Sequence, residues 1–323
     1  MKLDILSPYY WFLKARKNSP KDSIQFGLPV ISVGNINTGG SGKTPFIHFL
    51  VAEIKTKYPN KKIVVVSKSY KASLKHPQEV TELDVSRPDI FGDEPCLLKS
   101  VVDADVWSGP VKHKTLAAAL RLKAYDLAII DDGFSHRHID RQLDIVLFDV
   151  SRSRAHYQII PFGFMREPWS ALERASLVIL TKLENQEKGR IHYFESEIKK
   201  YQKNLLSLDF VTELDLKIKN IFLFTGIGNP EALVQNLKHL GYNVVKVQLY
   251  EDHYKFPVTE QIKIWQEYQR LKNDSELEIV TTTKDFIKLS HSDLKQNLKL
   301  IELNISMSDE KLKVLHEKIS QLF

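Results

Sequence analysis

One cysteine, Cys96, stands in 323 residues. An intramolecular disulfide is therefore excluded, and so is any paired-cysteine metal site. The chain fits a reducing compartment such as the cytoplasm. Long apolar runs are missing too: none reaches the roughly 18 residues that a spanning helix needs. The start lacks the marks of a secretory signal, because Asp4 and Pro8 interrupt its apolar stretch and no small-residue cleavage site follows. Strong charge bias is absent as well. The net charge of +6 suggests an anionic partner (nucleotide, phospholipid surface or nucleic acid) without choosing among them. What is present is 43% hydrophobic and 27% charged, the make-up of a soluble globular chain with a substantial core. The length allows one large domain or two ordinary ones.

The chain is organised around residues 30–44, VISVGNINTGGSGKT. An apolar, β-branched run ends at Gly34, a glycine-rich turn follows, and Gly42-Lys43-Thr44 opens a helical pattern. Strand, glycine loop and helix in that order form a phosphate-binding arrangement. Glycines let successive backbone N–H groups converge on a phosphate, and the helix N-terminus adds its positive end. The loop residues Asn37, Thr38, Gly39, Gly40, Ser41 and Gly42 would cradle the phosphates. Lys43 would reach the β/γ-phosphates and the Thr44 hydroxyl would ligate Mg²⁺. Asn37 stands where the strict pattern has glycine, so the match is to a GGxGKT variant.

Residues 3–13, LDILSPYYWFL, are followed at once by Lys14, Arg16, Lys17 and Lys21. An interfacial element with aromatics at headgroup depth is one reading, and an N-terminal helix packed on the body is the other. After the phosphate loop, Phe46, Ile47, Phe49, Leu50 and Ile54 recur at helical spacing. Residues 62–67, KIVVVS, read as a buried parallel strand, and residues 68–89 as an irregular surface loop. Asp93 and Glu94 begin an apolar helical stretch, where first-turn acids also have a plain explanation. The run 127–132, LAIIDD, is a strand ending in carboxylates, which downstream of a phosphate loop places Asp131 and Asp132 near the metal. Adjacent strand residues point to opposite faces, so both need not touch it. Strands at 144–149 and 177–180 continue a strand–helix alternation that implies a parallel, doubly wound sheet. Thr181-Lys182-Leu183-Glu184 is a degraded form of a guanine-specificity motif. Strand-like residues resume at 205–211, and a second α/β series runs from Asn220 to a closing helix near 310–322. The boundary falls near 205–215. In YEDHYKF, residues 250–256, His253 follows Asp252 in an aromatic loop.

Taken in order, PVISVGNINTGGSGKTP, GDEP, DDGFSHRHIDRQLDIVLFD, PFGFMREP, FTGIGNPE, the DH of YEDHYKF and TTTKD resemble the tetraacyldisaccharide 4′-kinase family of lipid A biosynthesis. The resemblance runs from Val30 to Asp285, and GNxxxGGxGKTP followed by DDGFxH is its specific part. It implies an α/β fold: a P-loop NTPase-like doubly wound parallel sheet with a second, smaller α/β C-terminal domain. The expected divisions are a membrane-interfacial segment at 1–25, a nucleotide-binding kinase domain at 26–208 and a cleft-closing domain at 209–323. It implies transfer of the ATP γ-phosphate, with Mg²⁺, to the 4′-hydroxyl of an acylated glucosamine disaccharide 1-phosphate. The place of action would be the cytoplasmic face of the inner membrane, on its anionic lipid surface, without nucleic acid or an obligate protein partner. Lys43 would neutralise transferring charge, and Ser41 and Thr44 would help hold phosphate and Mg²⁺. Asp131 and Asp132 would lie at or near the metal. Asp93 would take the sugar hydroxyl's proton, with His253 orienting it and tuning its proton affinity. Glu94, His136 and Arg166 would support the site.

The chain departs from the family pattern at four places: Ser135 for a glutamine, Tyr254 for a second histidine, residues 67–71 for an SRGYGR-type segment, and Lys112 for an arginine. Two other readings compete. A regulatory GTPase or ATPase would use GGSGKT and TKLE but has no use for Asp93 with His253. A family member that binds nucleotide or lipid without turnover would account for the departures.

Overall fold

The computed structural model describes residues 23–184, 186–272 and 276–323. The expected interfacial segment lies outside them as far as residue 22. The first part of the chain runs β1 (Val30–Gly34), α1 (Lys43–Lys57), β2 (Ile63–Lys68), β3 (Gln78–Val80), α2 (Pro88–Phe91), α3 (Asp93–Val101), β4 (Asp105–Gly109), α4 (Lys112–Leu122), β5 (Leu127–Asp131), β6 (Leu143–Asp149), β7 (Leu177–Thr181), α5 (Lys188–Lys199) and β8 (Leu205–Ser207). These strands form one sheet in the order β3-β4-β2-β5-β1-β6-β7-β8. Every pairing is parallel except β3 on β4.

The strands are apolar on both faces because helices cover both. Ile31 and Val33 of β1, with Val65 and Ile129, face a core shared with α1 and α3. Val30, Val64, Ala128 and Ile130 face the other side, against Leu116 and Ala119 of α4. Helix α1 buries Phe46, Ile47, Leu50, Val51 and Ile54. At about 2 kcal/mol per buried side chain, that face anchors the helix, and with it the loop that precedes it.

The second part runs β9 (Asp209–Glu213), β10 (Asn220–Thr225), α6 (Pro230–His239), β11 (Asn243–Leu249), α7 (Val258–Lys272), β12 (Glu278–Thr282), α8 (Thr283–Phe286), α9 (Ser292–Asn297), β13 (Lys299–Ser306) and α10 (Asp309–Ser320). Its sheet has the order β11-β10-β12-β13-β9, with β9 antiparallel to β13. The last helix returns to the first sheet: Leu315 and Ile319 of α10 enter the core beside α1. His316 Nε2 lies 2.7 Å from Glu53 Oε2 of α1. No helix among the described residues is long and apolar enough to cross a membrane.

Three stretches differ from expectation. The irregular loop expected at 68–89 contains edge strand β3 and helix α2. Strand β4, DVWSG, was not legible, since Asp105, Ser108 and Gly109 break its apolar pattern, yet it fills the gap between β2 and β3. The strand-like run at 205–211 divides at Leu208, and its halves join different sheets.

Candidate active site

The phosphate loop leaves the C-terminal end of β1 and enters α1. Gly42 caps α1 at φ 86°, a left-handed conformation that favours glycine. A Cβ there would run into the Phe210 ring, so this β9 side chain occupies the space a second one would need. The loop carbonyls are held from outside. Asn35 Nδ2 donates to the Gly39 carbonyl at 3.3 Å, Lys182 Nζ to that of Gly40 at 2.7 Å and Thr181 Oγ1 to that of Ser41 at 3.3 Å. Asn37 Nδ2 lies 3.2 Å from His156 Nε2, and Thr38 N donates to the Phe164 carbonyl at 2.7 Å. Ser41 Oγ is buried and has no hydrogen-bond partner among the described residues. A buried hydroxyl in that condition fits a phosphate oxygen. Lys43 and Thr44 open the first turn of α1.

Beside the loop, β5 delivers its carboxylates. Asp131 is buried and accepts from Ser67 Oγ at 2.7 Å. Asp132 sits at φ 47°, and this left-handed turn ends the strand alternation. Both carboxylates lie within the fields of Lys43 and Lys112. Lys43 Nζ lies 3.7 Å from Asp132 Oδ1. Arg166 grips Asp132 with two donors, at 2.8 and 3.0 Å, and its Nη2 also donates to Asn35 Oδ1. Burial pushes the Asp132 carboxyl up, but Arg166 and Lys43 outweigh it and hold it well below the usual carboxylate range. Burial raises Asp131, against Lys112 and Lys43. Glu94 faces the same cluster, and burial together with the Asp131 charge pushes its carboxyl up to about 7.

Asp93 lies in the first turn of α3, just after Gly92 at φ 100°. Its side chain does not cap the helix. Asp93 Oδ2 instead lies 2.9 Å from His253 Nδ1, which comes from the loop between β11 and α7. An ionised carboxylate only accepts, so Nδ1 carries the proton. Burial raises the Asp93 carboxyl, and the His253 hydrogen bond with the charges of Lys288 and Lys284 overrides it and leaves it below the ordinary value. His253 Nε2 lies 4.0 Å from Asp252 Oδ2, and Lys284 Nζ donates to Asp252 at 2.7 Å.

His136 Nε2 lies 3.4 Å from His113 Nδ1, and burial beside Lys112 pulls its ring down to about 3. It reaches the site through Lys112, whose Nζ donates to the Asp132 carbonyl at 2.6 Å. The four departures have structural places. Ser135 Oγ donates to Glu167 at 2.6 Å, and Tyr254 stacks on Tyr250 with ring centroids 4.6 Å apart. Ser67 holds Asp131, and buried Lys112 sits beneath the carboxylates. Sequence reasoning missed Asn35, Ser67 and the Asp149–Lys182 pair at 2.6 Å as parts of this site. Asn35 and Ser67 each stand at a strand end in a segment already singled out, and that position is the signal that could have found them. Glu184 of TKLE accepts from the Phe210 backbone N–H, so its carboxylate serves the second sheet and not a base.

A family model described as LpxK, tetraacyldisaccharide-1-P 4′-kinase, matches residues 1–323. The tetraacyldisaccharide 4′-kinase of Bdellovibrio bacteriovorus is 33% identical over 295 residues, 84% of each chain. That of Rickettsia canadensis is 30% identical over 323 residues, 97% of this chain and 91% of the relative. A crystal structure of LpxK from Aquifex aeolicus in complex with ATP shares the fold at TM-score 0.73 and 24% identity, over 99% of this chain and 98% of that one.

Proposed function

The chain belongs to the tetraacyldisaccharide 4′-kinase family, and on that premise we propose that its cleft transfers the γ-phosphate of ATP to the 4′-hydroxyl of tetraacyldisaccharide 1-phosphate. The product is the 1,4′-bisphosphate. The reading rests on one juxtaposition: an Asp93–His253 pair at 2.9 Å beside a phosphate loop. Glu94, next to Asp93, feels the charge of Lys43.

The hydroxyl proton passes to Asp93 as the new P–O bond forms. In a loose transition state that proton leaves late, so a carboxylate of low proton affinity suffices. His253 fixes which carboxylate oxygen faces the acceptor. Lys43 meets the charge on the transferring group, and the helix α1 N-terminus and Ser41 hold the phosphates. Arg166 keeps Asp132 ionised and pointed at Lys43. Glu94 and His136 support the site from beside Asp131 and Lys112.

Thr44, Asp131 and Asp132 are the residues that would hold Mg²⁺. One hydroxyl and two carboxylates form a hard oxygen set, and Mg²⁺ takes few protein ligands when phosphates supply others. Among the described residues no group of three acidic, histidine or cysteine side chains has metal-holding spacing. When bound, Mg²⁺ would offset the negative charge of the phosphates during transfer.

An acyl-chain acceptor must be met at a lipid surface. Residues 1–25 are the interfacial segment in this reading, with residues 26–208 and 209–323 forming the two walls of the cleft. The protein acts as a peripheral or monotopic enzyme at the cytoplasmic face of the inner membrane. Neither nucleic acid nor an obligate protein partner takes part. The deciding experiment is incubation with Mg-ATP and the disaccharide 1-phosphate in detergent, followed by mass detection of one added phosphate. Nucleotide hydrolysis with no phosphorylated lipid would overturn the reading.

A further inference from the structure

Two phenylalanines stand in water beside the phosphate loop. Phe162 is 78% exposed and Phe164 is 53% exposed. They flank Gly163 at the tip of a tight loop that connects Gln158 to Met165. Exposed aromatics on a floppy loop would mean little, but this loop is held firmly. Phe162 N donates to the Ile159 carbonyl at 3.0 Å, Phe164 N to that of His156 at 2.9 Å and Ile160 N to that of Met165 at 3.2 Å. A Cβ at Gly163 would lie 2.5 Å from the Gln158 carbonyl oxygen and 2.6 Å from that of Ala155, so the tip is pressed onto its base. The Phe164 ring stacks on His156 with centroids 4.3 Å apart, and half of it still faces outward. The backbone is satisfied internally and the rings are not buried.

Cations gather at the base of this tip. Arg154 precedes Ala155 and sits over the Tyr193 ring at 3.8 Å. Arg190 Nη1 donates to the Arg152 carbonyl at 3.1 Å. Arg152 Nε lies 3.6 Å from Asp149, a buried carboxylate that Lys182 also binds. Aromatics at a tip with arginines behind them match a bilayer surface: rings enter the acyl boundary while guanidinium groups meet anionic headgroups.

We propose that Pro161–Phe164 is a membrane-contacting tip that dips into an anionic bilayer, separate from the N-terminal segment, and sets the cleft mouth at headgroup depth. The Phe164 carbonyl accepts from Thr38 N at 2.7 Å, so the tip is rigidly tied to the phosphate loop. Its depth in the bilayer fixes the height of the phosphate loop above the lipid. The proposal rests on an acyl-chain acceptor, but its test does not involve phosphoryl transfer.

The test compares the full-length chain with its Phe162→Ser variant on sucrose-loaded vesicles of phosphatidylglycerol and phosphatidylcholine. Partitioning should fall roughly tenfold, with ATP affinity, melting temperature and sedimentation mass held. Arg154→Glu should weaken binding to the anionic vesicles and leave binding to pure phosphatidylcholine unchanged. Should the serine variant fold poorly, Phe162→Trp gives a second measurement. Its added emission should shift to the blue and be quenched by brominated acyl chains when vesicles are present. Unchanged partitioning of the serine variant, or an unquenched tryptophan, overturns the proposal. Weaker ATP binding with unchanged partitioning would assign the rings to the nucleotide, and a drop in sedimentation mass would assign them to a second copy of the chain. Either result also overturns it. Since vesicle binding is read without turnover, a failed kinase assay would leave this result standing on its own.

Discussion

His253 Nδ1 meets Asp93 Oδ2 at 2.9 Å across 160 positions of chain, one residue from each of the two sheets' halves. His253 is held at φ 67°, a left-handed conformation that costs a non-glycine residue about 1–3 kcal/mol. The Asp252–Lys284 pair ties the neighbouring residue to α8. Helix α8 is itself fixed by buried Asp285, which accepts from Thr225 Oγ1 and Gly226 N. The strain therefore sits in a framed loop, as expected where a side chain must be aimed.

If the pair acts as a unit, Asp93→Ala and His253→Ala each lower kcat by about 10²–10⁴-fold. The double variant should be little worse than the worse single one. ATP binding should persist in all three. A double-mutant cycle on kcat, with melting temperatures alongside, checks this, and strict additivity would sink the unit.

Lys43→Ala should reduce kcat by roughly 10²–10³-fold, the scale of losing one preorganised charge contact, while the fold is retained. The Lys43–Asp132 approach of 3.7 Å already shows where its ammonium points. Turnover within about threefold of the parent would remove Lys43 from the reaction.

Arg166→Lys keeps the charge and loses the fork on Asp132. Asp132 would then lose both guanidinium hydrogen bonds, with a single ammonium left to replace them. We expect kcat to fall by about tenfold or more, because a loosened carboxylate no longer sits over Lys43. Nucleotide titration calorimetry and steady-state rates measured together separate misplacement from unfolding.

Glu94 gives a pH signature. Its carboxyl is raised from 4.5 to about 7 by burial and by Asp131, with Lys43 opposing. Between those values the folded protein keeps a proton that the unfolded chain releases. The contribution is fully present below the unfolded value and is lost as pH rises through the folded one. The parent's melting temperature, measured without nucleotide, should therefore drop from pH 5 to pH 8 more steeply than that of Glu94→Gln. Parallel slopes would mean that Glu94 does not titrate in this window.

The phosphate loop was legible because its chemistry is local. Glycines, Lys43 and Thr44 lie within one turn of chain, and short-range geometry brings them together. Most strands were legible because β-branched runs such as residues 62–67 have few other destinations. Strand β4 was hidden because burial between two neighbours, not its own composition, makes DVWSG a strand. Ser67 and Lys112 read as losses from a pattern, and their partnerships with Asp131 and the Asp132 carbonyl exist only after β2, β5 and α4 pack. The left-handed Asp132 escaped for a related reason. Alternation along a strand describes extended residues, and the left-handed Asp132 at the strand end falls outside it.

The return of α10 to the first sheet has a mechanical meaning. The polypeptide passes between the two sheets at Leu208 and again after Ser306, so it joins them at two points. Between those crossings the two parts share one core, in which Ile287 and Ile305 pack beside Leu315, Ile319 and α1. A chain fastened at both ends of a shared core cannot be peeled away from either end, so the loop bearing His253 and the helix bearing Asp93 belong to one frame.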